Sequence, residues 1–446
     1  GGSTETNVWR FVTGLRGDFS LEERNFFWEI TANAGQTTNK SSSTSIIQGA
    51  FLNALDAVTL TQADIDSINA AGGNPAAVGN VGDIVCRVSI QQQNGTFTGF
   101  DSGFGTTSEQ APFADGCAPL NLFGENQASQ EAIEFVTAQS VSNNNIDQAI
   151  FAANFGGDLI QLPAGWVQFA AGYEGRKESA DLQPGGFQEL GFGRGAAVPA
   201  SGGTYTTDEL YAEILVPVVS SEMNIPLVHF VEVEGAIREI DNSQAGEFTA
   251  WTVAGRYSPI PDLTFRANMT ESLRAPSLDE LFSPIVTAFE FADDPCDSRF
   301  IGDDPNYAVN CAAEGLPTGF TSNVVNATAR GRTGGNPNLR NETAEAYSIG
   351  AVYQPTWHPL VDGMTFQVDY INIEIADAIG ALSLEGIMEA CYGAEPGAFP
   401  NASCNSFTRD GAGQVVDFQS GQINSDSFAT EFLNARYDWR FEITDT

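Results

Sequence analysis

"LTFRANMTESLRAPSLDELF", residues 263–282, begins with the pattern of a strand and ends with a different one. In its first half the odd positions are apolar and the even positions are polar. Successive side chains of a strand point to opposite faces, so this pattern places an apolar row on one face and Arg266 with polar neighbours on the other. Pro276 follows the end of the alternation, and proline cannot donate a ladder hydrogen bond. The stretch therefore predicts a long two-faced strand that leaves its sheet just before Pro276.

The composition of the whole chain favours an all-β fold. Its 446 residues include 46 glycines and 31 phenylalanines, a balance that fits strands better than helices. Lys and Arg total 19 against 57 Asp and Glu, which gives a formal net charge of −38. A chain this acidic repels phosphate backbones, so we expect no nucleic-acid partner. No long apolar run and no signal-peptide pattern are present, so we predict no transmembrane helix and expect a mature or internal segment of a longer protein.

The alternation of residues 263–282 recurs along the chain in segments of about ten or more residues. A soluble β-sandwich with one buried and one solvated face would show the same alternation. Its strands average five or six residues, however, whereas a tilted membrane-spanning strand needs about 9–11. The segment lengths therefore favour membrane-spanning strands. We predict strands near residues 7–19, 25–37, 155–162, 165–179, 206–218, 228–240, 247–258, 262–274, 342–355, 363–376 and 428–443.

The lengths of the connections support the same interpretation. Links after the first, third, fifth, seventh and ninth predicted strands are short, and those after the second, fourth, eighth and tenth are long; only the link near "DNSQAG" breaks the rule. Alternate links of an up-and-down meander lie on opposite sides of the sheet, so nearly all long links share one side. This asymmetry is typical of an outer-membrane β-barrel. We therefore predict an antiparallel transmembrane β-barrel with long extracellular loops at residues 38–154, 275–341 and 377–427.

Aromatic residues cluster near the short-turn ends of the predicted strands. Amphipathic rings at one level indicate a belt at a membrane interface, although a sandwich core also buries such rings. The residues concerned are Phe19, Phe26, Trp28, Trp166, Tyr257, Phe265, Tyr353, Trp357 and Phe366.

Six cysteines lie inside the predicted long loops, two in each loop. Six cysteines allow fifteen connectivities, and two per loop favours pairing between neighbours. Disulfides indicate an oxidising compartment, and loops of this size would each gain roughly 3 kcal/mol from closure. Zinc ligation is the rival interpretation, but CxxC spacing is absent and the chain has two histidines. The predicted disulfides are Cys86–Cys117, Cys296–Cys311 and Cys391–Cys404.

The long loops also contain helical and acidic segments. "SQEAIEFVTAQS" at 129–140 predicts a helix with Ser129 as its N-cap, and "IIQGAFLNALDAV" at 46–58 is a weaker candidate. The acidic clusters at 293–297 and 302–306 could bind calcium, but they lack the regular spacing of a calcium loop. We therefore interpret them as solvated acidic loops.

The sequence contains no recognisable catalytic group. His229 and His358 have no serine or cysteine nearby in a nucleophile motif. We expect no enzymatic activity, no cofactor and no resident metal ion.

Five segments resemble the barrel of TonB-dependent outer-membrane receptors in their order and approximate spacing. They are "GCAPLNLFG" at 116–124, "YTTDELYAEILVPVV" at 205–219, "ESLRAPSLDELF" at 271–282, "GGNPNLRNETAEAYSIGAVYQP" at 334–355 and "FQVDYINIEIADAI" at 366–379. The resemblance implies part of a 22-stranded barrel, a plug domain inside it, and an inner-membrane partner, TonB, that pulls on the plug. No segment resembles the plug or the closing strands, so we expect the whole chain, 1–446, to be a barrel portion that meets TonB only through a plug outside it.

The resemblance also implies a function. It predicts a receptor in the outer membrane of a Gram-negative bacterium that imports a scarce solute: a ferric siderophore, a vitamin-like cofactor or an oligosaccharide. Loops after residues 37, 179, 274 and 376 would form the binding vestibule, although the ligand-binding residues cannot be identified from the sequence. Two alternatives stay open at this point, a passive porin-like channel and a secreted disulfide-bonded β-sandwich. Arginines predicted to line the lumen, for which solvation is an equally good explanation, are Arg10, Arg16, Arg266, Arg436 and Arg440.

Overall fold

A computed structural model of the chain describes residues 1–97, 113–193, 197–358, 361–425 and 427–441. Eleven long strands form one antiparallel sheet in which each strand pairs with the long strand before it and the one after it. The strands are β1 (Gly2–Leu21), β2 (Arg24–Ile46), β3 (Thr137–Leu162), β4 (Gly165–Pro184), β5 (Ser201–Val219), β6 (Phe230–Asn242), β7 (Gly246–Ile260), β8 (Leu263–Arg274), β9 (Glu342–Tyr353), β10 (Met364–Ala376) and β11 (Phe428–Trp439).

The eleven predicted strands correspond one to one to these eleven strands. The predicted bounds of the first long loop, 38–154, are wrong at both ends, because β2 and β3 stay paired as far as Ile46 and Thr137. The loop itself is residues 47–136. In residues 38–45 of β2 and 139–145 of β3 nearly all side chains are polar on both faces, so the backbone ladder continues where the apolar alternation has stopped. Residues 146–154 of β3 do carry apolar side chains, for example Phe151 opposite Ala32. Residues 442–443 of the last predicted strand lie outside the described residues.

The register sorts the sheet into an apolar face and a polar face. Phe265, Ala351 and Val368 are cross-strand partners on the apolar face, and Arg266, Gly350 and Asp369 are partners on the polar face. Large apolar-face side chains are exposed, for example Ile349 at 59%. Elsewhere in the described ranges the sheets have two strands each and belong to the loops, so no second sheet covers the apolar face. The sandwich alternative is therefore wrong.

Aromatic rings form rows at the short-turn side of the apolar face. Phe19, Phe26, Phe155 and Phe169 lie in sequence across β1 to β4, with ring centroids 5.3, 5.8 and 5.7 Å apart. Tyr353, Phe366 and Tyr437 continue the pattern across β9 to β11 at 6.4 and 4.9 Å, and Tyr257 meets Phe265 at 6.3 Å between them. Each row pairs rings on neighbouring strands, an arrangement that stabilises cross-strand contacts.

The connections are as one-sided as predicted. Five short links, residues 22–23, 163–164, 220–229, 261–262 and 354–363, lie on one side of the sheet. The opposite side carries residues 47–136, 185–200, 275–341 and 377–427, together with the tight turn at 243–245 near "DNSQAG".

Where the structure describes them, the loops on that side contain eight short α-helices, none of which is long and apolar enough to cross a membrane. The helix predicted behind Ser129 is present, and the Ser129 hydroxyl accepts a hydrogen bond from the Ala132 amide at 3.1 Å. The weaker candidate at 46–58 also contains a helix. The helices are α1 (Gln48–Leu55), α2 (Gln62–Ala70), α3 (Arg87–Gln93), α4 (Gln130–Val136), α5 (Gly186–Glu189), α6 (Leu278–Phe282), α7 (Tyr307–Glu314) and α8 (Leu384–Tyr392).

Residues 275–341 and 377–427 fold together, and we name them the paired-loop unit. They share one apolar core, in which Val324 and Phe320 of the first loop pack with Met388, Tyr392 and Phe418 of the second. Short strands add to the unit: Val286–Glu290 pairs with Ala329–Thr333, Ile379–Leu382 with Gly421–Asn424, and Phe407–Arg409 with Val415–Phe418. Among the described residues, the largest buried core thus lies in the loops.

The three disulfides join the predicted neighbours. Cys296–Cys311 and Cys391–Cys404 lie in the paired-loop unit, where three of the four cysteines are buried in the shared core. Cys86–Cys117 closes residues of the first loop, next to the short strands Ala57–Thr59 and Ile84–Cys86.

Candidate ligand-binding site

The end of β8, in the segment 263–282, is fixed by Arg274. Its guanidinium donates to both carboxylate oxygens of Glu280 at 2.9 and 3.1 Å, and to Glu342 at 2.9 Å. Ser277 and Glu280 form a capping box at the start of α6, and Pro276 is fully buried between strand and helix. Glu342 also accepts the Ile379 amide at 3.0 Å. One arginine therefore joins β8, β9, α6 and the second loop of the unit.

The helix that Arg274 positions lies over the polar face of the sheet. Leu281 of α6 is buried against Tyr205 of β5, whose hydroxyl donates to Glu178 on the polar face at 2.5 Å. Gly203, also on β5, lies so close to the ring of Phe282 that an added Cβ would be 2.5 Å from it. The first loop of the paired-loop unit thus folds inward, from the end of β8 across to β5.

Two acidic residues of the paired-loop unit correct the interpretation of 293–297 as a solvated acidic loop. Asp294 and Asp297 are both fully buried. Asp294 forms a bidentate ion pair with Arg409, and Asp297 accepts from Arg299 at 2.7 and 2.8 Å and from the Ser322 amide at 2.7 Å. They are buried because each carboxylate is fully hydrogen-bonded, which a sequence pattern cannot show. Within the described ranges, no group of three or more His, Cys, Asp or Glu residues is placed to hold a metal ion.

A recess of about 490 Å³ lies between the two loops of the paired-loop unit. Its volume falls in the range of small-molecule sites. Asn336 on its wall donates to the Gln422 carbonyl at 3.0 Å, and the Asn336 amide donates to the Glu280 carbonyl of α6 at 2.8 Å. The recess therefore adjoins the helix that lies over the polar face. Polar side chains on the lining are Arg332, Thr333, Asn336, Asn338, Asn405, Ser406, Gln419, Ser420 and Gln422, and apolar ones include Ile285, Leu382 and Ile387.

Backbone hydrogen bonds between the two loops hold the walls of the recess. The Ser420 amide donates to the Arg332 carbonyl at 2.9 Å, and the Gln422 amide donates to the Gly334 carbonyl at 3.4 Å. Gly421 has φ +138°, and a Cβ at this position would lie 2.6 Å from the Gly334 carbonyl oxygen. A glycine is therefore needed where the two loops approach each other.

A second recess, of about 420 Å³, lies on the polar face of the sheet. Arg266 donates to both oxygens of Asp369 at 2.9 and 2.8 Å, and Gln367 donates to the same carboxylate at 2.7 Å. Arg256 pairs with Glu232 beside it. Both arginines on this wall are therefore already ion-paired with a carboxylate of the same wall.

The five arginines predicted to line a lumen are not brought together. Arg10 donates to Asn33 at 3.0 Å at one end of the sheet, Arg436 pairs with Asp438 at the other end, and Arg266 lies between them. Arg16 is opposite Glu29 on the polar face, and Arg440 lies one residue beyond β11. The lumen position of all five stays a proposal.

The recess between the loops was not predicted from the sequence. Its lining comes from "GGNPN" at 334–338, "NS" at 405–406 and "QSGQI" at 419–423, which read as ordinary polar loops. Only the joint folding of the two loops brings these segments together. The amide content of the segments was the one available signal, and it has no characteristic spacing.

A two-faced sheet of long antiparallel strands, with an exposed apolar face, aromatic rows and large loops on one side, defines the wall of a transmembrane β-barrel. In agreement, the family model described as TonB dependent receptor-like, beta-barrel, matches residues 3–415. The chain belongs to this family, which is one of receptors and transporters rather than enzymes. A search of curated proteins finds no match.

Solved structures with a similar arrangement are distant in sequence. A mutant of the ferric enterobactin receptor PfeA from Pseudomonas aeruginosa is 11% identical, with 92% of this chain and 40% of that chain covered and a TM-score of 0.43. The siderophore receptor PirA from Acinetobacter baumannii is 9% identical, with 94% and 42% covered and a TM-score of 0.43. PirA from Pseudomonas aeruginosa is 11% identical, with 96% and 53% covered and a TM-score of 0.38. The chain thus spans about half or less of the length of these receptors.

Proposed function

We propose that the chain forms part of an outer-membrane receptor that binds a scarce solute on its extracellular side and imports it by TonB-coupled active transport. The observation that carries the proposal is the recess between the loops, because it adjoins α6 over the polar face. In this proposal the apolar face contacts acyl chains, the polar face with its arginines lines the lumen, and the loops after β2, β4, β8 and β10 form the vestibule. In the same proposal, TonB acts through a plug domain outside residues 1–446.

Family membership supports the proposal, since receptors of this family share the barrel wall found here. A ferric siderophore, a vitamin-like cofactor and an oligosaccharide are all candidate solutes for a receptor of this family. The location that follows is the outer membrane of a Gram-negative bacterium.

The orientation can be tested by labelling single cysteines on intact cells. Described residues contain no free cysteine, so a new thiol reports its own position. In the full-length receptor, Asp410→Cys in the paired-loop unit should react with a membrane-impermeant maleimide on intact cells. Ser221→Cys, on the short-turn side, should react only after lysis. Labelling of both variants on intact cells would contradict the proposed orientation.

Energy coupling needs a separate test. Uptake of the bound solute by cells that express the full-length receptor should stop when TonB is deleted, while surface binding persists. Uptake that is unchanged without TonB would instead support a passive channel.

A further inference from the structure

The lining of the recess between the loops differs in charge from the rest of the chain. The chain carries 57 acidic residues and a formal net charge of −38. None of the residues that line the recess is acidic, and Arg332 is the one charged side chain among them. The recess is therefore lined without carboxylates in a chain that is strongly acidic overall.

Carboxamides dominate the polar part of the lining. Within the described part of the chain, the side chains of Asn338, Asn405, Gln419 and Gln422 make no hydrogen bond, so their donors and acceptors are available to a ligand. Each carboxamide offers an N–H donor and a carbonyl acceptor in one plane, and a hydroxyl group can accept from the first and donate to the second. The Ser406 hydroxyl adds another group that can both donate and accept a hydrogen bond.

The charge of the chain argues against anionic ligands. A net charge of −38 slows the association of an anion, and Arg332 is the one cation on the lining. A cationic ligand would find no carboxylate on the lining. These two charge arguments favour an uncharged ligand. The carboxamides of the lining favour one that presents many hydroxyl groups.

We infer that the recess binds a neutral, hydroxyl-rich solute such as a short saccharide, with Asn405, Gln419 and Gln422 as its principal hydrogen-bonding residues. This inference rests on the proposed function, since it names the class of solute that the receptor takes up. Both loops are required, because the amides of Ser420, next to Gln419, and of Gln422 donate to the Arg332 and Gly334 carbonyls of the other loop.

The test is calorimetric titration of the purified full-length receptor in detergent. Neutral probes are maltohexaose, cellohexaose and xylohexaose; ferric citrate is the anionic probe, and N-acetyl-tetraglycine amide is an uncharged probe that lacks hydroxyl groups. We expect saturable binding of at least one saccharide and no binding of the other two probes. Absence of saccharide binding at millimolar concentration, or preferential binding of ferric citrate or of the peptide, overturns the inference.

Variants locate the site. The double variant Gln419→Ala with Gln422→Ala should weaken saccharide binding about tenfold or more, since each lost hydrogen bond removes about 1 kcal/mol and 1.4 kcal/mol is a factor of ten. Gln127→Ala, an exposed glutamine in the first loop, is the matched control and should bind normally. Unchanged resistance of the double variant to trypsin shows that the paired-loop unit is still folded. Normal binding by the double variant contradicts the assignment.

Failure of the inference and failure of the proposed function give different results. Saccharide binding that depends on Gln419 and Gln422, without uptake by cells, keeps the site and removes the transport function. TonB-dependent uptake of a siderophore or other charged solute keeps the function and removes the inferred solute class.

Discussion

Arg409 and Asp294, 115 residues apart in the chain, form a bidentate ion pair at 2.8 and 2.8 Å in the centre of the paired-loop unit. Their side chains are 5% and 0% exposed. Rings of Phe320, Tyr392 and Phe407 surround the guanidinium, with its carbon 5.4 to 5.7 Å from their centroids. Because Asp294 belongs to residues 275–341 and Arg409 to residues 377–427, the pair links the two halves of the unit.

Removal of Asp294 should therefore destabilise the paired-loop unit strongly. Asp294→Ala leaves a buried guanidinium without its partner, and such a loss costs about 3–5 kcal/mol. The free energy of opening can be measured from trypsin cleavage under native conditions. Arg340→Ala is the control, because Arg340 and its partner Asp377 are 69% and 39% exposed and such pairs contribute less than about 1 kcal/mol. Equal cleavage rates for the two variants would contradict the role given to the buried pair.

The two faces of the sheet can be distinguished by neighbouring substitutions in β7. Val253 lies on the apolar face and is 53% exposed, and Ala254 lies on the polar face. An arginine that faces acyl chains near the membrane midplane costs about 2–4 kcal/mol. We expect Val253→Arg to lower the stability of the folded receptor in phospholipid vesicles by this amount, and Ala254→Arg to lower it much less. Urea titration measures the stability of both variants. A larger loss for Ala254→Arg than for Val253→Arg would mean that the lipid contacts the polar face.

The sequence predicted the sheet well because a barrel wall leaves a local signal. Leu263 to Met269 alternate only because one face is apolar and the other polar, and the same constraint acts on every long strand. The prediction failed at Ile46 and Thr137, where the ladder continues with polar side chains on both faces. Period-2 alternation reports the environment of the faces, and backbone pairing extends beyond it.

The paired-loop unit was less predictable for a related reason. Neighbour pairing of cysteines could be predicted because each loop holds two of them, a local count. The burial of Asp294 depends on Arg409, and the recess depends on Asn405 and Gln419 meeting Arg332. Such long-range contacts between irregular segments have no period, so the sequence showed only polar loops.

A disulfide of the paired-loop unit and the disulfide of residues 47–136 should differ in their effect on the recess. Cys391→Ser with Cys404→Ser removes a bridge next to Asn405, and we expect the unit to lose roughly 3 kcal/mol and to bind maltohexaose, or whichever saccharide probe binds, more weakly. Cys86→Ser with Cys117→Ser is the matched control, because that bridge lies in the first loop, outside the paired-loop unit. Calorimetric titration of both double variants tests this. Similar weakening in both would mean that the first loop also shapes the site.

Asp297 should make the paired-loop unit sensitive to acid. Hydrogen bonds from Arg299 and from the Arg299 and Ser322 amides hold the pKa of Asp297 well below its usual value of 3.8. A carboxyl with a lowered folded-state pKa contributes stability above its unfolded pKa, and that contribution is lost as the pH falls below about 4. Asp297→Asn should therefore be less stable than the unaltered receptor at neutral pH, and the difference should shrink below about pH 4. Thermal denaturation between about pH 3 and pH 7 measures it; a difference independent of pH would show that the charge contributes nothing.

Arg274 should control how firmly α6 lies over the polar face. Its planar fork reaches Glu280 and Glu342 at once, and the single ammonium of a lysine cannot reproduce that geometry. Arg274→Lys keeps the charge but should lose about 1 kcal/mol of the free energy that holds α6 in place, a modest value because the arginine side chain is 45% exposed. Hydrogen exchange of the Leu281 amide, which bonds to the Ser277 carbonyl at 3.0 Å, reports this directly.

Exchange at the Leu281 amide should be about fivefold faster in Arg274→Lys, since 1.4 kcal/mol corresponds to a factor of ten. Lys40→Arg, a change in β2 away from this junction, should leave the rate unaltered. If Arg274→Lys exchanges at the normal rate, the burial of Leu281 and Pro276 alone positions the helix, and the fork of Arg274 adds nothing to it.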